Sequence, residues 1–364
     1  MLVTITMVFS LGMILFGAEL FTNSIEWLGI RLNLSQGAVG SVLAAVGTAL
    51  PETAVPITAI LFGKSHEAHE VGIGGILGAP FLLATLGSLV MAVSLLIFRR
   101  NRYTQEMHVS ELGFSRDMTV FLLAYAMAVV AGSIQIPIVH KVVPWLLVCI
   151  YLVFLIFTLK DKTGGNDNGE LKPLYIQMKS QKPLMLTIVV QIFFALLLIV
   201  GGAHFLTGGI EKIASIIQMP PFVLSALLIP LATELPETLN SVVWIRQGKD
   251  RLAIGNITGA MVFQSTLVPA VGIWMTPWNL TWEAMLTGGL TLAAATFTFG
   301  MYRVYGRLLP WMLLSASSLY WILPMQSIAM RYPDDGGAYW GFGILIFLVL
   351  TAAAGSTFRR HRAA

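Results

Sequence analysis

One seven-residue phrase occurs twice in this chain, and its residue types suit the binding of a cation. Gly47-Thr48-Ala49-Leu50-Pro51-Glu52-Thr53 and Ala232-Thr233-Glu234-Leu235-Pro236-Glu237-Thr238 each set a glutamate beside a proline within an apolar run of membrane length, where a carboxylate is costly to place. Proline has no N–H, so in a continuous helix Pro51 and Pro236 leave the carbonyls of Gly47 and Ala232 without their usual partners. Thr48 and Glu52, like Thr233 and Glu237, stand four residues apart, and Glu234 and Glu237 stand three apart, so each set shares a helix face. Carboxylate, carbonyl and hydroxyl oxygens from two helices can therefore converge on a hard cation. Two carboxylates about 5 Å apart repel by about 3 kcal/mol at an effective dielectric of 20, so the pair requires a cation between them or a proton on one. Six to eight mixed oxygens suit calcium, whereas magnesium demands stricter octahedral geometry and zinc prefers His or Cys. Calcium, sodium and protons are the occupants this chemistry admits.

The elements that carry the phrase are membrane helices. Of 364 residues, 56% are hydrophobic and only 11% are charged, and mean hydropathy is +0.79, far from a soluble globular chain. Apolar segments near 2–22, 36–62, 71–98, 117–137, 142–159, 184–207, 220–245, 252–276, 282–302, 307–326 and 338–358 predict about eleven transmembrane helices. A β-barrel is excluded by run length, because helices alone among open-ended elements satisfy their own backbone in hydrocarbon. The first segment lacks a basic flank and reads as a retained span rather than a cleaved signal peptide.

Charge distribution supplies an orientation. Eighteen of the 22 Lys and Arg residues fall in one alternating set of loops and at the C-terminus, and the other set holds only Lys64, Lys141, Lys212 and Arg331. Positive residues favour the cytoplasmic side, so the reading is a multi-pass protein of the plasma membrane with its N-terminus outside and its C-terminus inside. Nucleic-acid binding is not expected from a net charge of +4 scattered in short gaps between apolar runs. The single cysteine, Cys149, excludes a disulfide framework and reads as a small core residue.

Repetition extends beyond the phrase. Gly17, Ala18, Thr22, Ile25 and Glu26 recur at an offset of 185 as Gly202, Ala203, Thr207, Ile210 and Glu211, and the same offset carries Glu52 onto Glu237. Further on, Gly74-Gly75-Ile76-Leu77-Gly78-Ala79 matches Gly255-Asn256-Ile257-Thr258-Gly259-Ala260, and Pro144-Trp145 matches Pro310-Trp311. Five helices repeat, and because five is odd the halves enter the membrane from opposite sides, as in many secondary transporters. The predicted organisation is an all-α 5+5 inverted repeat. Residues 1–160 form the first half, 161–183 a cytoplasmic linker containing Thr163-Gly164-Gly165-Asn166-Asp167-Asn168-Gly169, 184–327 the second half, and 328–364 one extra C-terminal helix and a basic tail.

With these motifs the chain resembles the calcium/cation antiporter superfamily that includes sodium/calcium exchangers. The resemblance rests on two copies of a G-T-S-L-P-E-like helix followed by a G-N-x-x-G-S-N-like helix, in inverted halves. It implies alternating access, with the first and sixth helices sliding across the central bundle. It also implies that Glu52 and Glu237 are the central acidic ligands, completed by Thr48 and Thr233. The chain departs from that pattern. Ala49 and Glu234 replace the serine after each threonine, Gly75, Ala79, Pro80 and Leu83 replace polar residues in the first half, and Ala260, Met261 and Gln264 stand in the second, where Asn256 is kept. Several hydroxyl and amide ligands that the resemblance assigns to sodium are missing, which makes a proton or fewer sodium ions a plausible counter-ion. Glu234 adds a second carboxylate three residues from Glu237, a pair suited to holding one proton.

Each candidate also has a plainer reading. Glu52, Glu234 and Glu237 can serve as structural or cavity carboxylates, Thr48 and Thr233 can bond back to a helix carbonyl, and Asn256 and Gln264 can hold helices together. Glu19, whose counterpart is His204, is a candidate gating residue. His66, Glu67, His69 and Glu70 read as a solvated loop, and Gly72 to Gly78 as a close-packing surface, since no Lys or Ser/Thr stands in P-loop register. The expected function is a secondary-active antiporter moving Ca2+ or a similar cation against Na+ or H+. No cofactor is expected beyond the transported ions, the partners are inorganic cations and the lipid bilayer, and a monomer suffices. A channel or a non-transporting cation sensor is the alternative, and an intramembrane hydrolase a remote one.

Overall fold

The computed structural model describes residues 2–32, 50–63, 65–98, 106–134, 136–160, 173–177 and 183–331, and among these it is all-helical. Apolar runs without water as a partner must close their backbone hydrogen bonds internally, and they do so as α1 (Leu2–Arg31), α2 (Leu50–Phe62), α3 (His66–Leu82), α4 (Ser88–Ile97), α5 (Glu111–Ser133) and α6 (Pro137–Lys160) in the first half. The second half holds α7 (Met185–Ile217), α8 (Pro221–Thr233), α9 (Leu235–Arg246), α10 (Asp250–Met275), α11 (Trp282–Tyr305), α12 (Pro310–Ser317) and α13 (Ile322–Arg331). Among the described residues, seven helices or continuous helix pairs are long and apolar enough to cross a membrane, and the bent pair α8–α9 makes up to eight. α2 and the broken α12–α13 run account for two further predicted segments. The predicted eleventh, 338–358, lies outside the described residues.

Several predicted single helices are interrupted. The 220–245 segment breaks at Glu234 (φ −87°, ψ −3°), and α9 leaves α8 at 44°. Pro236 therefore lies in the first turn of α9 rather than inside a continuous helix. A missing N–H costs nothing there, because first-turn N–H groups have no helical acceptor. The 71–98 segment contains a five-residue π-turn, Leu83–Gly87, between α3 and α4, whereas its repeat counterpart α10 runs unbroken for 26 residues. The 307–326 segment contains a 3₁₀ turn, Ser318–Trp321.

The halves interlock in reciprocal fashion. α10 packs on α5 and α6, while its counterpart α3–α4 packs on α11 and α12. α3 lies against α8 through the glycine surface predicted for Gly72 to Gly78. A Cβ at Gly74 would meet Ser225 and the Phe222 carbonyl, and one at Gly78 would meet the Ala226 backbone. In lipid, where apolar surface gains little from leaving its solvent, such close backbone approach is a main source of helix association. Cys149 is exposed on the outer face of α6, which corrects its reading as a core residue. An apolar run of membrane length has a lipid-facing side as well as a buried one, and hydropathy alone does not distinguish them.

The turn after α10 is held by Trp278, fully buried at φ 49°, whose indole N–H donates to the Ala128 carbonyl at 2.9 Å. Trp278→Phe keeps most of the apolar surface but removes that bond, while the Ala128 carbonyl retains its place in the α5 helix ladder, at a cost of about 1 kcal/mol. The expected result is a lower melting temperature in detergent, and an unchanged melt would show that the indole bond contributes nothing.

Candidate cation site

Three side chains from three elements meet in the bundle interior. Glu52 lies in the first turn of α2, Glu234 at the break before α9, and Gln264 midway along α10. All three are at most 3% exposed. The Gln264 amide nitrogen donates to Glu234 Oε1 at 2.7 Å and to Glu52 Oε1 at 3.5 Å, the latter at the long limit of a hydrogen bond. One neutral NH2 group thus stands between two buried carboxylates that are 182 residues apart in sequence. The carbonyl end of the same amide, Gln264 Oε1, is buried without a hydrogen-bond partner among the described residues.

The local backbone favours anions at this place. Both L-P-E-T sequences begin a helix, putting Glu52 in the first turn of α2 and Glu234 at the N-cap of α9. The positive end of a helix macrodipole stabilises a nearby negative charge by about 0.3–1 kcal/mol in exposed settings and more where partly buried. Glu234 also organises the bend through its backbone: its N–H donates to the Pro230 carbonyl at 2.8 Å, and its own carbonyl accepts from the N–H and the hydroxyl of Thr238, both at 3.0 Å.

The remaining candidates are distributed as follows. Thr233 is buried next to Glu234, and its hydroxyl donates to the Ile229 carbonyl at 3.1 Å, leaving the oxygen lone pairs as its contribution to any ligand. Asn256 is half-buried two turns before Gln264, about 12 Å along the helix at 1.5 Å per residue, and so belongs to a different level of α10. Thr48 and the side chain of Glu237 lie outside the described residues. Glu19 accepts a hydrogen bond from Tyr175 at 2.8 Å. His66 is exposed and pairs with Glu70 at 3.6 Å across one helical turn. Among the described residues no group of three or more His, Cys, Asp or Glu side chains has metal-binding geometry, so any cation held by the described part of this centre relies on amide, hydroxyl or carbonyl oxygens besides the two carboxylates.

Sequence reasoning overlooked two buried carboxylates, Asp117 and Asp250, the latter at the start of α10 accepting from the His108 N–H at 3.0 Å. Asp117 on α5 accepts from Thr258 of α10 at 2.8 Å and from its neighbour Arg116 at 3.0 and 3.1 Å. An acidic residue directly after an arginine near the start of an apolar segment resembles an ordinary solvated flank. Nothing in the local pattern marks it as the link that pins α5 to α10.

A family model described as "Sodium/calcium exchanger protein" matches residues 2–160 and 187–354. The chain belongs to the sodium/calcium exchanger family. This family member is 24% identical over 300 residues to the putative antiporter CaxA of Alkalimonas amylolytica, covering 80% of this chain and 87% of that one. Its fold matches the crystal structure of the H+/Ca2+ exchanger CAX with a TM-score of 0.69 at 19% identity, over 98% of this chain and 90% of the other. It also matches the sodium-calcium exchanger NCX_Mj with a TM-score of 0.53 at 18% identity, over 88% and 97%. These two likenesses establish the exchanger fold. Family membership makes the protein a multi-pass membrane cation antiporter, a transporter rather than an enzyme.

Proposed function

We propose that this exchanger-family protein carries Ca2+, or a cation of similar chemistry, against protons by alternating access, through a site built on Glu52, Glu234, Glu237 and Gln264. The observation that carries the reading is the convergence of Glu52 and Glu234 on one amide. The Gln264 NH2 group places partial positive charge between the carboxylates. A divalent ion entering there replaces that donor, and a turn of the amide brings Oε1 to the ion. Thr233, and Thr48 from the first half, add hydroxyl oxygens. Oxygen ligands in this number and mixture match the preference of calcium.

Protons are favoured over sodium by what the first half lacks. Leu83 stands at the repeat position of Gln264 and is fully buried, and the buried Ala79 stands one turn before it. At these two positions the first half supplies no amide or hydroxyl for a separate sodium site. A carboxylate pair that needs a proton on one member once calcium leaves is itself the proton acceptor, so discharge of calcium and uptake of a proton become one event.

The reading includes an N-terminus outside and a C-terminus inside, in keeping with the loop charge asymmetry, and halves joined through residues 161–183. Its test is radioactive Ca2+ uptake into proteoliposomes under an imposed pH gradient or an imposed sodium gradient. Uptake driven by pH alone is expected. Uptake driven only by sodium would replace the counter-ion, saturation without any counter-ion dependence would indicate a channel, and calcium binding without flux would indicate a sensor.

A further inference from the structure

α1 and α7 form a two-helix slab. A Cβ at Gly17 would meet Ile199, Leu198 and the Ala195 carbonyl, and one at Gly202 would meet Ile14, Met13 and the Ser10 carbonyl, so the helices touch backbone to backbone along most of their length. Beyond a brief contact with α2, α1 packs on little else among the described elements. Close-packed apolar faces in lipid fix distance well and register poorly, because one smooth helix can slide along another. Register needs directional bonds.

Such bonds occur at the Arg31 end of the slab. Gln191 on α7 is completely buried, and its amide nitrogen donates across to Asn23 Oδ1 at 3.0 Å and to the Leu20 carbonyl of α1 at 3.1 Å. A short segment that precedes α7, residues 173–177 with a 3₁₀ turn at Tyr175–Gln177, closes over both. The Ile176 N–H donates to Gln191 Oε1 at 3.0 Å, the Tyr175 N–H to Asn23 Oδ1 at 3.4 Å, and Asn23 Nδ2 to the Pro173 carbonyl at 3.3 Å. The Tyr175 hydroxyl reaches Glu19 a turn earlier on α1 at 2.8 Å. Both donors and the acceptor of Gln191 are thereby used. A buried amide with all its bonds made specifies one arrangement, since any slip along the helix axis would strand polar groups in an apolar seam.

We propose that Asn23, Gln191 and residues 173–177 form a polar clasp that fixes α1 on α7 in a single register, so that the two helices travel as one body during the transport cycle. Asn23 and Gln191 act as positioning residues, and the inference rests on the alternating-access reading above for its role in transport. The clasp is a bond to be kept, not a latch to be opened, because it is internal to the moving pair. Replacing it by a covalent link should therefore preserve function.

The test uses the full chain with Cys149→Ser, to which Asn23→Cys and Gln191→Cys are added together. Oxidation is expected to form the disulfide, followed by counting free thiols with a maleimide. In the reduced protein Ca2+ uptake should fall about tenfold, in line with the loss of a coupling contact, while Ca2+ affinity in detergent stays unchanged. Oxidation should restore uptake to the Cys149→Ser level. An oxidised, cross-linked protein that is inactive or a reduced protein at full rate would each overturn the clasp. A disulfide needs Cβ atoms about 3.5–4.5 Å apart, so if the thiols do not pair the decision passes to the Gln191→Met variant below. Should the cysteine pair fail to fold, Gln191→Met, apolar and similar in length, carries the same expectation of slowed uptake at unchanged affinity, and full uptake would overturn the proposal. Uptake by the Cys149→Ser parent is measured in parallel, so a parent that carries no calcium counts against the antiport reading, while disulfide formation still judges the clasp.

Discussion

Glu234→Gln and Glu52→Gln are each expected to reduce Ca2+ uptake by about 100-fold in proteoliposomes while leaving the folded protein intact. Both side chains are buried and bonded to the Gln264 amide, so each change removes a full negative charge from a cation ligand without altering its shape. Breaking a buried charge pair by removing one partner costs about 3–5 kcal/mol, and about 3 kcal/mol is two powers of ten in affinity. Stability should move the other way or not at all, since the empty site loses carboxylate repulsion. Uptake and thermal melting on the same preparations separate the two effects, and near-normal uptake in both variants would remove these carboxylates from the site. Glu237→Gln belongs in the same series. The exchanger resemblance assigns the acidic ligand of the second half to Glu237, whereas the described geometry brings Glu234 to Gln264, and the ranking of the two losses shows which carboxylate holds the ion.

Gly78→Ala, a change of one methyl group, is expected to lower the melting temperature by about 6–12 °C. The added Cβ would press on the carbonyl oxygen, Cα and carbonyl carbon of Ala226. All three are backbone atoms of α8, with no side chain able to turn aside. Overpacking costs about 1–3 kcal/mol where neighbours can yield, and the upper end applies where they cannot. At about 2–4 °C per kcal/mol for a large domain, 3 kcal/mol gives the stated shift. Gly300→Ala is the control, because Gly300 lies mid-helix with nothing within 4 Å of a new Cβ; alanine there should be neutral or slightly stabilising. Equal melting temperatures for the two variants would show that the α3–α8 seam has slack. The seam matters to the site because α8 ends at Thr233, directly before Glu234.

Much of this organisation is legible in the residues alone. Hydropathy windows locate the described spans because the bilayer imposes a minimum apolar length, and the repeated phrase marks the carboxylates because buried charge is too costly to occur twice without use. Gly74 and Gly78 declare their packing role through the absence of any side chain. The break at Glu234 is less visible, since hydropathy averages across it. A signal did exist: proline at the second position and glutamate at the third, as in Leu235-Pro236-Glu237, is the composition of a helix start, not of a helix interior. The meeting of Gln264 with Glu52 and Glu234 has no local signature, because it depends on how α10 is rotated against two other elements. Asp117 was overlooked and the exposed Cys149 misjudged for the same reason. The side of a helix that faces protein is set by its neighbours, and a nearly all-apolar helix carries little periodic pattern to reveal it.

The π-turn at Leu83–Gly87 bears on the energetics of the whole cycle. In a carrier made of two identical inverted halves, the outward-facing and inward-facing arrangements are images of one another, and without a gradient they have equal free energy. Here the third span of the first half contains an expanded turn with Leu83 at its start, while the corresponding α10 is regular and bears Gln264. That difference removes the degeneracy. Under the alternating-access reading proposed above, one facing state is then lower in energy for the empty protein, and unloaded molecules are expected to accumulate with the site open to a preferred side of the membrane, a resting direction set before any ion gradient acts.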